Sequence, residues 1–211
     1  MNDKEMPSEE QLDFLREIVN IGAGNAATAL SQILQSDVNL KIPTVHVLTV
    51  PQIPSILIDP SLPVVCVRMG MVGDIAGELF FIVPNEQKVK LTRLVEWAIP
   101  VPKNGGTTID LSALTEVGNI VAGSYLTAVH DFCKLSIYHT VPTLAIDMVQ
   151  SLLDESLIAL SRQAQVIFAI ENEFTVDEHR VRTLFLLIPS AESIKTLVNS
   201  IGEARIACTS E

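Results

Sequence analysis

Two stretches of this chain decide its fold: LDFLREIVNIGAGNAATAL at 12–30 and LSALTEVGNIVAGSYLTAV at 111–129. At a constant offset of 99 residues they share nine identical positions, and the register continues without a gap to the Pro-Thr pairs at 43–44 and 142–143. Further on, LFFIVP at 79–84 is echoed by LFLLIP at 184–189, where the offset has grown to 105. Self-similarity at a fixed spacing indicates an internal repeat. The identical pairs are Leu12/Leu111, Leu15/Leu114, Glu17/Glu116, Asn20/Asn119, Ile21/Ile120, Ala23/Ala122, Gly24/Gly123, Thr28/Thr127 and Ala29/Ala128.

The repeat predicts two related halves, about 1–105 and 106–211, with PVPKNGGTTID at 100–110 as their linker. Each half contains a helix, a short strand after Pro-Thr, two apolar strands spaced as a hairpin and a closing helix. We therefore expect one α+β domain with pseudo-two-fold symmetry, in which helices flank an antiparallel-rich sheet and each half has one copy of the repeated helix. The strand candidates are VHVLTV, VVCVRMGMV and GELFFIV, then LAIDMV, QVIFAIENEF and RTLFLLI; the closing helices are NEQKVKLTRLVEWAI and SAESIKTLVNSIG, and 147–164 is also helical in pattern.

The repeated helix has two different sides when its residues are placed at about 100° each. One side is an apolar stripe in both copies, which predicts that it faces the core. The opposite side carries the pattern D/S-x-x-x-E-x-x-N-x-x-x-G twice. Its members are Asp13, Glu17, Asn20 and Gly24 in the first copy, and Ser112, Glu116, Asn119 and Gly123 in the second.

A repeated polar face needs an explanation, because exposed positions usually diverge between copies. Asparagine and glycine also weaken a helix, glycine by about 1 kcal/mol relative to alanine. One interpretation is that the glycines let the two helices pack closely together; the other is that the face binds a partner. The residues argue against a dinucleotide-binding turn, because the helical pattern begins well before Gly22 and the second copy has Val121 and Leu126 at the fingerprint positions.

The residue types on this face suit the positioning of a water molecule. An asparagine amide offers two donors and an acceptor, a glutamate can accept from a partner's lysine, and a glycine lets another backbone approach closely. No hydrolase, zinc or P-loop motif competes, and the four histidines show no ligand spacing with one another or with a carboxylate.

Composition excludes several classes of protein. A net charge of −11 argues against nucleic-acid binding, and the apolar runs are too short to cross a bilayer. Three widely spaced cysteines fit a reducing compartment, and the polar, acidic start predicts no signal peptide. We therefore expect a cytoplasmic protein without membrane insertion and without a metal site of its own.

The doubled pattern resembles the CheC/CheX/FliY family of chemotaxis phosphatases, and the resemblance extends over nearly the whole chain. It includes NIGAGNAATALSQIL, MVGDIAGELFFIVP, TEVGNIVAGSYLTA and VPTLAIDMVQSLL. Two complete copies of the pattern are more similar to the CheC type than to CheX, which has one active copy, or to FliY, which has an appended rotor domain.

The resemblance implies hydrolysis of the aspartyl phosphate on a CheY-type response regulator. By that match Glu17 and Glu116 dock the regulator's lysine, Asn20 and Asn119 orient the attacking water, and Mg²⁺ is held by the regulator. It also implies the receptor deamidase CheD as a partner, with Asp147 as the candidate contact; the alternative for Asp147 is a solvated charge that starts a helix. The alternative function is a non-catalytic adaptor that binds the phosphorylated regulator, CheD or both.

Overall fold

The computed structural model describes residues 6–56, 63–85, 87, 112–152, 166–176 and 179–209. The long helices of these segments are α1 (Glu9–Leu34), α2 (Ser112–Cys133) and α3 (Ser193–Thr209), and Val50–Ile56 forms a 3₁₀ segment. The strands are β1 (Val38–Leu40), β2 (Thr44–Leu48), β3 (Pro63–Gly73), β4 (Gly77–Pro84), β5 (Ile137–His139), β6 (Thr143–Met148), β7 (Ile167–Val176) and β8 (His179–Pro189).

All of these strands belong to one antiparallel sheet with the order β1-β7-β8-β4-β3-β5; β2 also pairs with β7, and β6 also pairs with β3. The two halves meet at the centre, where Phe80 pairs with Leu186 and Phe81 with Phe185. Phe80 and Phe185 are equivalent in the repeat, so the pairing is symmetric about this point. The predicted α+β fold with two related halves and an antiparallel sheet is confirmed.

The short strands of each half pair with a long strand of the other half. β3 of the first half pairs with β5 and β6 of the second, and β7 of the second half pairs with β1 and β2 of the first. A hairpin from one half therefore has its outer edge covered by the other half, which removes most of the exposed edge that either would have alone. The predicted linker at 100–110 lies outside the described residues, so the domain boundaries stay a prediction.

The repeated helices begin and end where local chemistry requires. Ser8 caps α1 with a capping box, in which its hydroxyl accepts from the amide of Gln11 and the Gln11 side chain accepts from the amide of Ser8. After the last turns, Gln35 and Lys134 both have a left-handed backbone, at φ 50° and 57°. They stand 99 residues apart, so the two helices end at equivalent positions.

The predicted apolar stripe of the repeated helix is buried, and α1 and α2 pack against each other as well as on the sheet. Where α1 and α2 pack together, a Cβ on Gly22 would stand 2.7 Å from Tyr125 Cδ1 and 3.1 Å from Tyr125 Cα. The hydroxyl of Tyr125 continues into the sheet and donates to Asn172 Oδ1. Val121 replaces Gly22 in the second copy, yet within α1 this glycine is required by Tyr125.

A second apolar layer covers the other face of the sheet. It includes Cys66, Phe80 and Ile82, and the 3₁₀ segment contributes Ile53 to it. The helix-side layer holds most of the core, and α3 completes it. The two repeated helices therefore sit on one face of a sheet that is buried on both sides.

Most of the predicted elements within the described residues are confirmed, with two differences. Both hairpins and α3 are present, whereas β1 and β5 were not predicted because three residues show no readable alternation. The prediction that 147–164 is helical is wrong at its start, since Asp147 and Met148 belong to β6 and the helix begins at 149. Residues 153–165 and most of the predicted closing helix NEQKVKLTRLVEWAI lie outside the described residues.

Candidate functional site

The structure places the doubled pattern on two surface faces, one on α1 and one on α2. On α1 all four members of the pattern are exposed. On α2 Glu116 and Ser112 are exposed, while Asn119 and Gly123 are half-buried. At a rise of about 1.5 Å per residue, glutamate and asparagine stand about 4.5 Å apart along the axis, with the glycine about 6 Å further. The residues that sequence spacing put together therefore do share one face in each half.

The glutamates and asparagines of the two faces are available to another molecule. Within the described parts of the chain, the side chains of Glu17, Asn20, Glu116 and Asn119 make no hydrogen bond or ion pair. Asp13, by contrast, forms an exposed ion pair with Arg16 one turn along α1. Asp13 is thus paired within its own helix, whereas the carboxylate of Glu17 has no partner among the described residues.

The glycines of the two faces are not used for helix packing. A Cβ on Gly24 would meet no atom within 4 Å, and one on Gly123 would meet only His139 Nε2, at 3.8 Å. The interpretation that these glycines allow α1 and α2 to pack closely is therefore wrong; Gly22 has that role. What the glycines provide is open space one turn beyond each asparagine.

An apolar residue borders the first face. Ile21, beside Asn20, is 42% exposed, whereas Ile18 on the same helix is 1% exposed. Its counterpart Ile120 is partly buried against the core. A carboxylate, an amide and an exposed aliphatic side chain next to open space form a surface suited to protein docking.

Other chemistry has little support in the described residues. Burial raises the pKa of the Cys66 thiol to about 12 and that of Cys133 to about 11, so neither is a thiolate nucleophile at neutral pH. Across the described ranges, no three side chains of His, Cys, Asp or Glu are grouped as metal ligands would be. The arrangement of carboxylate, amide and open space can orient a water molecule or a polar group of another protein.

Sequence reasoning missed two histidine contacts. His46 Nε2 lies 2.6 Å from Glu171 Oε1 across β2 and β7, a pairing that the 125-residue separation concealed. His130 and His139 line one pocket beside the second face, although nine residues separate them. The sequence signal for this pocket was a difference between the two copies of the repeat. The first half has Ser31 and Leu40 where the second half has His130 and His139.

Asp147 does not lie on either helical face. It lies on β6, an exposed strand at the edge of the sheet. It faces Val64 in the pairing of β6 with β3, and its Oδ1 accepts from the amide of Met148 at 2.7 Å. Ile146 and Met148 beside it are 46% and 45% exposed. The interpretation of Asp147 as a charge starting a helix is wrong, because the strand runs through Met148.

None of the helices in the described part of the chain is both long and apolar enough to cross a membrane.

Comparison with known proteins finds a family model that matches this chain twice and a relative that covers most of it. The model of the CheC-like family matches residues 10–47 and 109–146, which are the two copies of the repeated helix with the strands that follow. The CheY-P phosphatase CheC of Bacillus subtilis (strain 168) is 31% identical over 198 residues, covering 92% of this chain and 95% of that protein.

Solved structures share the fold at lower identity. FliY of Thermotoga maritima superposes with a TM-score of 0.72 at 20% identity, covering 93% of this chain and 98% of that one. The FliM middle domain from H. pylori gives a TM-score of 0.61 at 14% identity, covering 92% and 99%. This chain therefore shares its fold with FliY and with the FliM middle domain.

Proposed function

The chain belongs to the CheC-like family, and from that premise we propose that it hydrolyses the aspartyl phosphate of a CheY-type response regulator. The name of its Bacillus subtilis relative, CheY-P phosphatase, supports this reaction class. Both copies of the glutamate–asparagine–glycine face are intact and lie at the surface, fully exposed on α1 and partly exposed on α2, and this duplication is the observation that carries the proposal.

Each face contributes one docking group and one positioning group. Glu17 and Glu116 accept hydrogen bonds from the active-site lysine of the regulator, which fixes its pose. Asn20 and Asn119 hold the attacking water in line with the phosphorus–oxygen bond that breaks. Gly24 and Gly123 leave room for the regulator's backbone, and Asp13 and Ser112 complete the two faces.

Mg²⁺ belongs to the regulator in this mechanism. A divalent ion held by the regulator would supply charge stabilisation to the phosphoryl group. The chain's own contribution is positioning, which in phosphoryl transfer supplies much of the rate enhancement. Water attacks phosphorus, the aspartyl oxygen leaves, and inorganic phosphate is released.

The test is phosphate release from a phosphorylated CheY-type regulator at substoichiometric protein, corrected for the regulator's own hydrolysis. We expect many phosphates per chain, because the face holds no group that the reaction consumes. One phosphate or fewer per chain would instead support the non-catalytic adaptor, which binds the phosphorylated regulator and does not turn it over.

A second proposed partner is a CheD-type deamidase, with Asp147 as its contact. The exposed carboxylate stands between two half-exposed apolar side chains, Ile146 and Met148, on an edge strand that can be approached from the side. We expect Asp147→Lys to weaken CheD binding at least tenfold in a titration and to leave phosphate release intact. Glu203→Lys, an exposed charge reversal on α3, is the matched control; equal binding by the two variants would remove Asp147 from the interface.

A further inference from the structure

The repeated helices carry one more pair of identical surface residues, beyond the pattern D/S-x-x-x-E-x-x-N-x-x-x-G. Among the identical pairs of the repeat, only Glu17/Glu116 and Thr28/Thr127 are exposed in both copies as the structure describes them. Threonine is a poor helix former, because its branched side chain loses rotamer freedom against the preceding turn. An exposed threonine inside each helix, at the same place in both, therefore needs an explanation just as the asparagines and glycines do.

Thr28 and Thr127 extend the two faces by one helical turn. Each threonine follows the glycine of its face by four residues, so at about 100° per residue it lies about 40° from the glycine and about 20° from the glutamate. From glutamate to glycine a face covers roughly 10 Å of the helix axis, and the threonine lengthens it to roughly 16 Å. Because a stable interface buries about 800 Å² on each partner, a protein docked on the glutamate and the asparagine would also cover this next turn.

The hydroxyl of Thr28 is held in place and keeps an acceptor free. Thr28 Oγ1 donates to the carbonyl of Gly24 at 2.9 Å. That carbonyl already accepts from the amide of Thr28 in the regular helical ladder, so the hydroxyl bond is an addition that the helix does not require. The lone pairs of Oγ1 remain as acceptors on an exposed side chain. A Cβ on Gly24 would meet no atom within 4 Å, so an N–H group of another protein has room to reach this oxygen.

The second copy presents the same hydroxyl in a different setting. Thr127 is exposed, and its hydroxyl makes no hydrogen bond within the described segments of the chain. It lines a pocket together with Gly123 and His139, beside the second face. The hydroxyl serves no other part of the described protein, so helix stability does not account for it. Both threonines therefore leave an acceptor oxygen open, one turn beyond the glycine.

We propose that Thr28 and Thr127 are docking residues for the regulator, and that each hydroxyl oxygen accepts a hydrogen bond from an N–H group of the regulator. This inference rests on the proposed function, because the threonines continue the faces on which the regulator would lie. The regulator is the partner because the threonine shares one side of the helix with the glutamate and asparagine, and does so in both copies. The threonines set the affinity and the pose of the regulator without touching the reacting atoms.

The test measures binding without turnover, using a CheY-type regulator loaded with Mg²⁺ and beryllium fluoride as a stable mimic of phosphoaspartate. Glu116→Lys leaves only the first face for docking, and Thr28→Val or Thr28→Ser is added to it. Glu17→Lys leaves only the second face, and Thr127→Val or Thr127→Ser is added to that. Valine keeps the branched shape and the helix propensity of threonine without the hydroxyl, whereas serine keeps the hydroxyl. Thr196→Val, at an exposed threonine on α3, is the matched control.

We expect each valine variant to raise Kd for the loaded regulator roughly fivefold, the effect of losing one hydrogen bond between uncharged groups. Each serine variant should stay within about twofold of its background, and so should Thr196→Val, which is the scatter of exposed substitutions. Denaturant unfolding of the same samples checks that every variant is folded.

Unchanged Kd in both valine variants would overturn the inference, and so would serine variants that bind as weakly as the valine variants. A response at only one of the two threonines would refute the contact for the other face. If the chain turns over phosphate while its valine variants bind normally, this inference fails and the proposed function stands. If the chain shows the expected binding pattern but releases no phosphate, the proposed function fails and the docking role of the threonines stands.

Discussion

We expect that replacing Asn20 and Asn119 together with alanine will lower phosphate release to the regulator's own rate of hydrolysis. Alanine has no polar group to hold the water, and losing a single positioned group of this kind costs on the order of 100-fold or more. Neither asparagine is fully buried, and both stand mid-helix, where alanine is the better helix former by about 0.5 kcal/mol. The double variant should therefore be at least as stable as the unsubstituted protein.

The measurement is phosphate release at substoichiometric protein, together with the unfolding midpoint. Asn25→Ala is the matched control, because Asn25 is an exposed asparagine on α1 outside the repeated pattern. Each single variant should keep the part of the rate that its intact face supplies, and the two parts should add up to the full rate. Full activity in the double variant would show that these asparagines do not position the water.

The repeat made most of this fold predictable, because each element was read twice and agreement between copies removed ambiguity. The hairpins β3–β4 and β7–β8 followed from long apolar strands with polar connections. The exchange of strands between halves did not follow, since self-similarity shows which segments are equivalent and not which ones pair. β1 and β5 were missed for a local reason, as three residues are too few to show a period of two.

Some features of the candidate site depend only on local helix geometry, which the sequence shows, and others depend on tertiary contacts, which it does not show. The positions of Glu17, Asn20 and Gly24 on one face depend only on helix geometry, so sequence spacing was sufficient. Tyr125 against Gly22 required knowledge of how α1 crosses α2, which no spacing within one helix contains. The pocket beside Gly123 brings α2 and β5 together, and its sequence trace was a difference between the copies rather than a match.

Gly22→Ala and Gly24→Ala should change stability in opposite directions, although the residues are two positions apart on one helix. A methyl group on Gly24 meets nothing within 4 Å, so the variant gains helix propensity, about 0.5 to 1 kcal/mol in the free energy of unfolding. A methyl group on Gly22 would stand 2.7 Å from Tyr125 Cδ1 and 3.1 Å from its Cα. Overpacking of this kind costs about 1 to 3 kcal/mol, which exceeds the gain in propensity.

Gly24→Ala, the more stable of the two variants, should be the less active one in phosphate release. In the Asn119→Ala background, where only the first face works, Gly24→Ala places a methyl group on the surface that the regulator approaches, and we expect phosphate release to fall about tenfold. Gly22 is buried away from that surface, so Gly22→Ala should retain the release rate of its folded fraction. Denaturant unfolding and phosphate release on the same samples separate the two effects. A Gly24→Ala variant that gains stability and keeps full phosphate release would mean that the glycine is not needed for docking. An unchanged unfolding midpoint for Gly22→Ala would mean that Tyr125 moves to accommodate the added methyl group.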